Sequence, residues 1–189
     1  SAQDVKDGKW IPSFAPKRAL DYLESLEANG QFGHFVWPEH CLIGTEGHAV
    51  YKPLAESLKD WSRDHWQVQY ITKGTNPYTE HFGAFQAQIP DAKDPSSQFN
   101  QRVTDYLESY QNVYFAGESS SHCVATTLKQ LMDEAPGLAQ KLIILEDAMS
   151  PVPGFEDAAN DIYQQARDMG IRFSTTAQEN LVGSTAVTA

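Results

Sequence analysis

Cys123, one of only two cysteines in the chain, lies in the stretch GESSSHCVATTLKQL, residues 117–131. An apolar run, VYFAG, precedes it and a helical pattern follows, so the thiol falls where a strand passes into a helix. Ser119, Ser120 and Ser121 are residue types that cap helix starts, which puts Cys123 in the first turn. There the unpaired N–H groups and the positive end of the helix dipole favour a thiolate. The same N–H groups can hold a developing oxyanion. A small buried thiol would suit the position equally well, and on position alone the two readings weigh evenly. His122 is adjacent, but neighbouring helical residues do not face each other, so it reads as a packing or rim residue rather than a base.

Two further groups arrive at comparable places. The alternating run WQVQYITKG, 66–74, ends in Lys73 and Gly74, and KLIILED, 141–147, ends in Glu146 and Asp147. Ligands of parallel α/β sheets bind at the carboxyl ends of strands, so lysine, cysteine and carboxylate at one rim make a workable hydrolase site. A lysine beside the thiol would stabilise its thiolate. The segment WPEHCLIGTEGHAV, 37–50, contributes His40 and His48. Their spacing across a glycine-rich loop favours solvent-facing histidines over a metal site, and Cys41 reads as core. In NPYTEH, 76–81, Glu80 and His81 either meet a polar substrate group or cap a loop, and the loop reading weighs more.

The elements that must position these groups follow from periodicity. Helices are expected over 18–30, 53–64, 99–110, 124–135 and 155–170, with Pro16 and Gly30 bracketing the first. Strands are expected over 33–37, 66–74, 112–117, 141–147 and 171–176. Their alternation implies an α/β fold with a parallel sheet covered by helices. The repeated DYLES, at 21–25 and 105–109, is no repeat architecture, and residues 1–189 read as a single domain. The polar opening segment, with Pro12 and Pro16, supplies no first strand, so the domain is expected to be incomplete at its N-terminal side.

Composition narrows the function. A chain of 189 residues with 41% hydrophobic and 21% charged residues suits one well-cored domain. A net charge of −11 with scattered basic residues excludes a nucleic-acid partner. No apolar run reaches the length of a membrane span, and no signal-peptide pattern is present, so a cytoplasmic location is expected. Two cysteines make no disulfide framework.

Four segments together resemble a known family. WPEHCLIGTEG is similar to a Trp-Pro-x-His-Cys signature of nicotinamidases, and ITKGTNPYTEHFGAF to their Lys-Gly loop. VYFAGESSSHCVATT resembles the nucleophile segment of isochorismatase-like cysteine hydrolases, and LEDAMSPVPGFE the strand and loop that follow it. The resemblance implies a three-layer α/β/α fold and a Cys–Lys–Asp triad with Cys123 as nucleophile and Lys73 as its lysine. Ser119 and Cys123 would supply the oxyanion N–H groups, with a cis peptide at Glu118–Ser119. Trp37 and Phe82 would line the substrate pocket, and His40 would be one ligand of a divalent, zinc-like metal. The triad aspartate and the other metal ligands have no counterpart; Asp4 and Asp7 lie in a polar loop. The implied reaction is thioester-mediated hydrolysis of a small amide with release of ammonia. Carbamoyl, ureido and maleamate amides are alternative substrates, and a non-catalytic binding module is the rival reading. A homo-oligomer is expected, with a separate N-terminal fragment as a further partner.

Overall fold

The computed structural model describes residues 1–30, 33–64 and 67–180. They divide into two compact units, residues 1–72 and the chain from Lys73 onward. Among the described residues no helix is long and apolar enough to cross a membrane.

In the first unit, α1 (Ala2–Lys6) opens on a capping box in which Ser1 and Asp4 satisfy each other's backbone N–H groups. α2 (Pro16–Ala28) has Pro16 in its first turn, where a missing N–H costs nothing. Gly30, at φ 61°, turns the chain out of α2 while its N–H bonds the Glu27 carbonyl at 3.2 Å. The buried side of α2 is Leu23 and Leu26. α1 is tied to it by the Ala2 N–H on Glu27 Oε1 at 2.7 Å and by a Lys6–Glu24 ion pair at 2.6 Å. α3 (Lys52–Asp64) is amphipathic, yet it buries no residue, and Leu54 and Trp61 are exposed.

The expected strands at 33–37 and 66–74 do not form. Residues 33–37 and 67–74 are irregular, and Trp66 lies outside the described residues. Alternation states that a segment could be a strand; it does not provide the neighbouring strand whose N–H and C=O groups a ladder requires.

The second unit holds the sheet. β1 (Val113–Phe115), β2 (Leu142–Leu145) and β3 (Arg172–Ser174) are parallel, in the order β1-β2-β3. Val113 pairs with Leu142, and Ile143 with Arg172. β2 is buried at all four positions, as a continuous apolar run on a central parallel strand demands. The helices are α4 (Gln101–Glu108), α5 (Ala125–Glu134), α6 (Pro136–Ala139) and α7 (Asn160–Asp168). Leu128, Leu131 and Met132 of α5 join Leu138, Leu142, Ile144, Ala166 and Ile171 in one core. The expected α/β class with a parallel, helix-covered sheet is therefore the one found. α7 is shorter than the expected 155–170 because residues 156–159 form turns before it.

Candidate active site

β1 ends at Phe115, and the chain turns through Gly117 into the segment that carries the thiol. The helix begins as a π-helical turn, Ser120–Val124, and continues as α5. Ser119 is the N-cap, but its side chain caps nothing. The Glu118–Ser119 peptide is cis. The Ser119 N–H makes no hydrogen bond among the described residues. Both cysteines are free; Cys123 is half-buried, whereas Cys41, expected in the core, is exposed.

The turn is fixed from several directions. Ser120 N–H bonds the Ser150 carbonyl at 2.9 Å, and Gly117 N–H the Ala148 carbonyl at 3.2 Å. In return the Glu118 carboxylate accepts from the Ser150 N–H at 3.1 Å and from its hydroxyl at 2.9 Å. Ser121 points inward, where its Oγ accepts the Val152 N–H at 2.9 Å and pairs with His122 Nδ1 at 2.9 Å. Tyr163 of α7 donates to the Ser120 carbonyl at 2.8 Å, and burial pushes its phenol up to about 12. The segment after β2 thus anchors the turn that holds the thiol.

Lys73 meets Cys123 here. Its Nζ lies 3.9 Å from Cys123 Sγ and donates to the His81 carbonyl at 2.8 Å. The lysine belongs to a long irregular segment, 73–100, that closes on itself. Gln88 N–H bonds Glu80 O at 2.8 Å, Asn100 N–H bonds Phe85 O at 2.8 Å, and Asn76 Nδ2 bonds Asp94 Oδ2 at 2.7 Å. Irregular segments of this length inside a folded unit are uncommon and are often functional. Phe82 is half-buried with its ring 6.2 Å from that of His122, and the Phe155 ring lies 5.1 Å from the same imidazole. His122 is 9% exposed, and burial holds it below the ordinary histidine range. That matches the packing role expected of it. His81 is held low too, first by burial and then by the Lys73 ammonium, and its Nε2 is buried without a partner among the described residues.

The carboxylates at the end of β2 do not complete the site. Asp147 accepts the Thr176 N–H at 2.9 Å and its hydroxyl, and Glu146 pairs with Arg167. Asp147 is thus engaged by the loop after β3 and Glu146 by α7. No carboxylate among the described residues forms an ion pair with Lys73.

Trp37 and His40 lie in the first unit. Their rings are 6.4 Å apart, and His40 Nδ1 is 2.6 Å from the Pro38 carbonyl. His40 is exposed, and among the described residues no three of His, Cys, Asp or Glu gather into a group able to hold a metal. The described residues do not make up a metal site.

Several residues that build the site carried no signal in the sequence. Ser150, Tyr163, Thr127 and Gln130 act across gaps of 30 or more positions, as in Tyr163 to Ser120. No local period reports such pairings.

No family model matches the chain, and no curated protein matches it. Solved structures do. The yeast nicotinamidase Pnc1p bound to the inhibitor nicotinaldehyde superposes with a TM-score of 0.54 at 18% identity, over 75% of this chain and 59% of that one. A second structure of yeast Pnc1p gives 0.53 at 19% identity, over 74% and 58%. A nicotinamidase/pyrazinamidase of Acinetobacter gives 0.50 at 19%, over 79% and 62%. The chain shares their fold and spans roughly three-fifths of their length.

Proposed function

We propose that this chain carries the nucleophile half of a nicotinamidase-like cysteine hydrolase acting on a small amide. The observation that carries the reading is the approach of Lys73 Nζ to Cys123 Sγ at the mouth of a parallel sheet, at 3.9 Å. An ammonium beside a thiolate at a helix start stabilises the charged nucleophile, which adds to the amide carbonyl carbon. The oxyanion that forms would rest on the N–H groups of Ser119 and Cys123. The carbon–nitrogen bond then breaks, ammonia leaves with a proton, and a thioester remains. Water adds to the thioester carbon, and expulsion of the thiolate releases the carboxylic acid.

The proton for the leaving ammonia calls for a carboxylic acid near Lys73. None of the described carboxylates serves, and we propose that it is contributed by polypeptide outside these 189 residues. Phe82, whose ring lies beside His122, is proposed to contact the substrate, a small planar amide such as nicotinamide or pyrazinamide.

The test is ammonia release from nicotinamide, pyrazinamide and maleamate. Cys123→Ala should lower turnover at least about a thousandfold while leaving the circular dichroism spectrum unchanged. Turnover undiminished in Cys123→Ala would remove the thiol from the mechanism. The missing carboxylate beside Lys73 favours one rival, a non-catalytic module of this fold. That reading requires no turnover on any amide together with a Cys123 whose alkylation is no faster than that of a free thiol.

A further inference from the structure

We infer that Thr127 is the positioning residue that holds Cys123 in register with Lys73. The inference rests on the reading of Cys123 as a nucleophile assisted by Lys73. Thr127 lies one helical turn after Cys123 on α5 and is 8% exposed. Its hydroxyl donates to the Cys123 carbonyl at 2.7 Å and accepts the Ala84 N–H at 3.0 Å. A threonine that bonds a carbonyl one turn back is common within helices. The second bond is the informative one, because Ala84 belongs to the segment that runs back through His81 to the lysine. His81 O holds Lys73 Nζ at 2.8 Å. A single hydroxyl therefore joins the backbone of the nucleophile to the segment whose carbonyl holds the lysine's ammonium.

Gln130 extends the seam by one turn. Its Oε1 accepts the Phe85 N–H at 3.2 Å, and its Nε2 donates to the Gln86 carbonyl at 2.7 Å. Residues 84–86 are thus laid along α5 by three side-chain bonds, of which only the one from Thr127 also reaches the nucleophile's own backbone. The thiol and the ammonium sit on the two sides of this seam. Their attraction depends on a separation that neither segment sets by itself.

The test uses the full chain with Cys41→Ser, so that Cys123 is the one thiol alkylated by iodoacetamide. Rates are measured at about pH 7 and about pH 9.5, and their ratio reports how far the thiolate is favoured at neutral pH, independent of access. Lys73→Met should lower that ratio about tenfold, and Thr127→Val, which keeps the shape and loses both bonds, about threefold or more. Thr127→Ser keeps the hydroxyl and should retain the parent ratio. A parent ratio in Thr127→Val, alongside the drop in Lys73→Met, overturns the inference and leaves the proposed function standing. No drop in Lys73→Met overturns both. If Thr127→Val does not fold, Thr127→Ala takes its place against Thr127→Ser, and equal ratios in those two overturn the inference.

Discussion

A cysteine and a lysine 3.9 Å apart are chemically different from either alone. The ammonium meets two partners, the thiol sulfur and the His81 carbonyl. Tyr163 acts on the same centre from behind, through the Ser120 carbonyl. Tyr163→Phe should lower stability by about 1 kcal/mol, the net worth of one neutral hydrogen bond. It should also slow alkylation of Cys123, because Ser120 opens the turn that carries the thiol. Urea unfolding and iodoacetamide kinetics on the same preparation measure the two effects; a stability loss with no change in alkylation would mean that the turn is held without Tyr163. Ser121 shows why residue type is an incomplete guide. Three consecutive serines suggest N-caps, yet Ser119 caps nothing with its side chain and Ser121 turns inward to Val152 and His122.

At the scale of elements, the seam between α5 and residues 83–86 governs the site. A Cβ on Gly83 would stand 2.2–2.5 Å from the amide atoms of Gln130, so Gly83→Ala must displace that side chain. Displacement forfeits the bonds to Phe85 and Gln86, and the expected cost is about 1–3 kcal/mol in thermal or urea unfolding. Gln130→Ala removes the obstacle. The double variant should therefore be less destabilised than the sum of the two single ones, a coupling that a double-mutant cycle reads directly. Strict additivity would show that the close approach is relieved elsewhere. The longer helices and the three strands of the sheet were legible in the sequence, because 3.6-residue periodicity and continuous apolar runs report burial on their own chain. The short α1, expected as a polar loop, and α6 were not. The runs at 33–37 and 67–74 misled for the complementary reason: a strand is a property of two segments, and alternation describes one. Cys123 and Lys73 were legible as candidates from their motifs. Thr127 and Gln130 were not, since a threonine and a glutamine on a helix look the same whether they face solvent or a loop some 44 positions away.

For the molecule as a whole, pH is the lever that the buried His122 and the half-buried His81 supply. Burial holds His81 and His122 below the ordinary value of 6.5, with the Lys73 ammonium adding to the effect at His81 and Asp94 opposing it. Just below 6.5 the unfolded chain takes up protons at these positions while the folded chain does not. Their contribution to stability is whole above that pH and is lost as pH falls through the depressed folded values. The melting temperature should therefore drop between about pH 7 and about pH 5, and His81→Gln should flatten part of that slope. Asp94, Asp147 and Glu156, held low by hydrogen bonds from Ser96, Thr176 and Gly154, lose their contributions only in more acidic solution. A level profile down to pH 5 would mean that neither histidine stays neutral in the folded chain.

Residues 73–100 close mainly on their own carbonyls and amides and meet the helix that follows Cys123 along a short seam. Within the stretch from Gln88 to Ser97, Asp91 and Ser97 bind each other, and Asp94 accepts from Asn76 Nδ2 at 2.7 Å. Change in this stretch is therefore bounded by burial of Gln88 and Ser97 and by the hold of Asp94 on Asn76, three residues from the lysine.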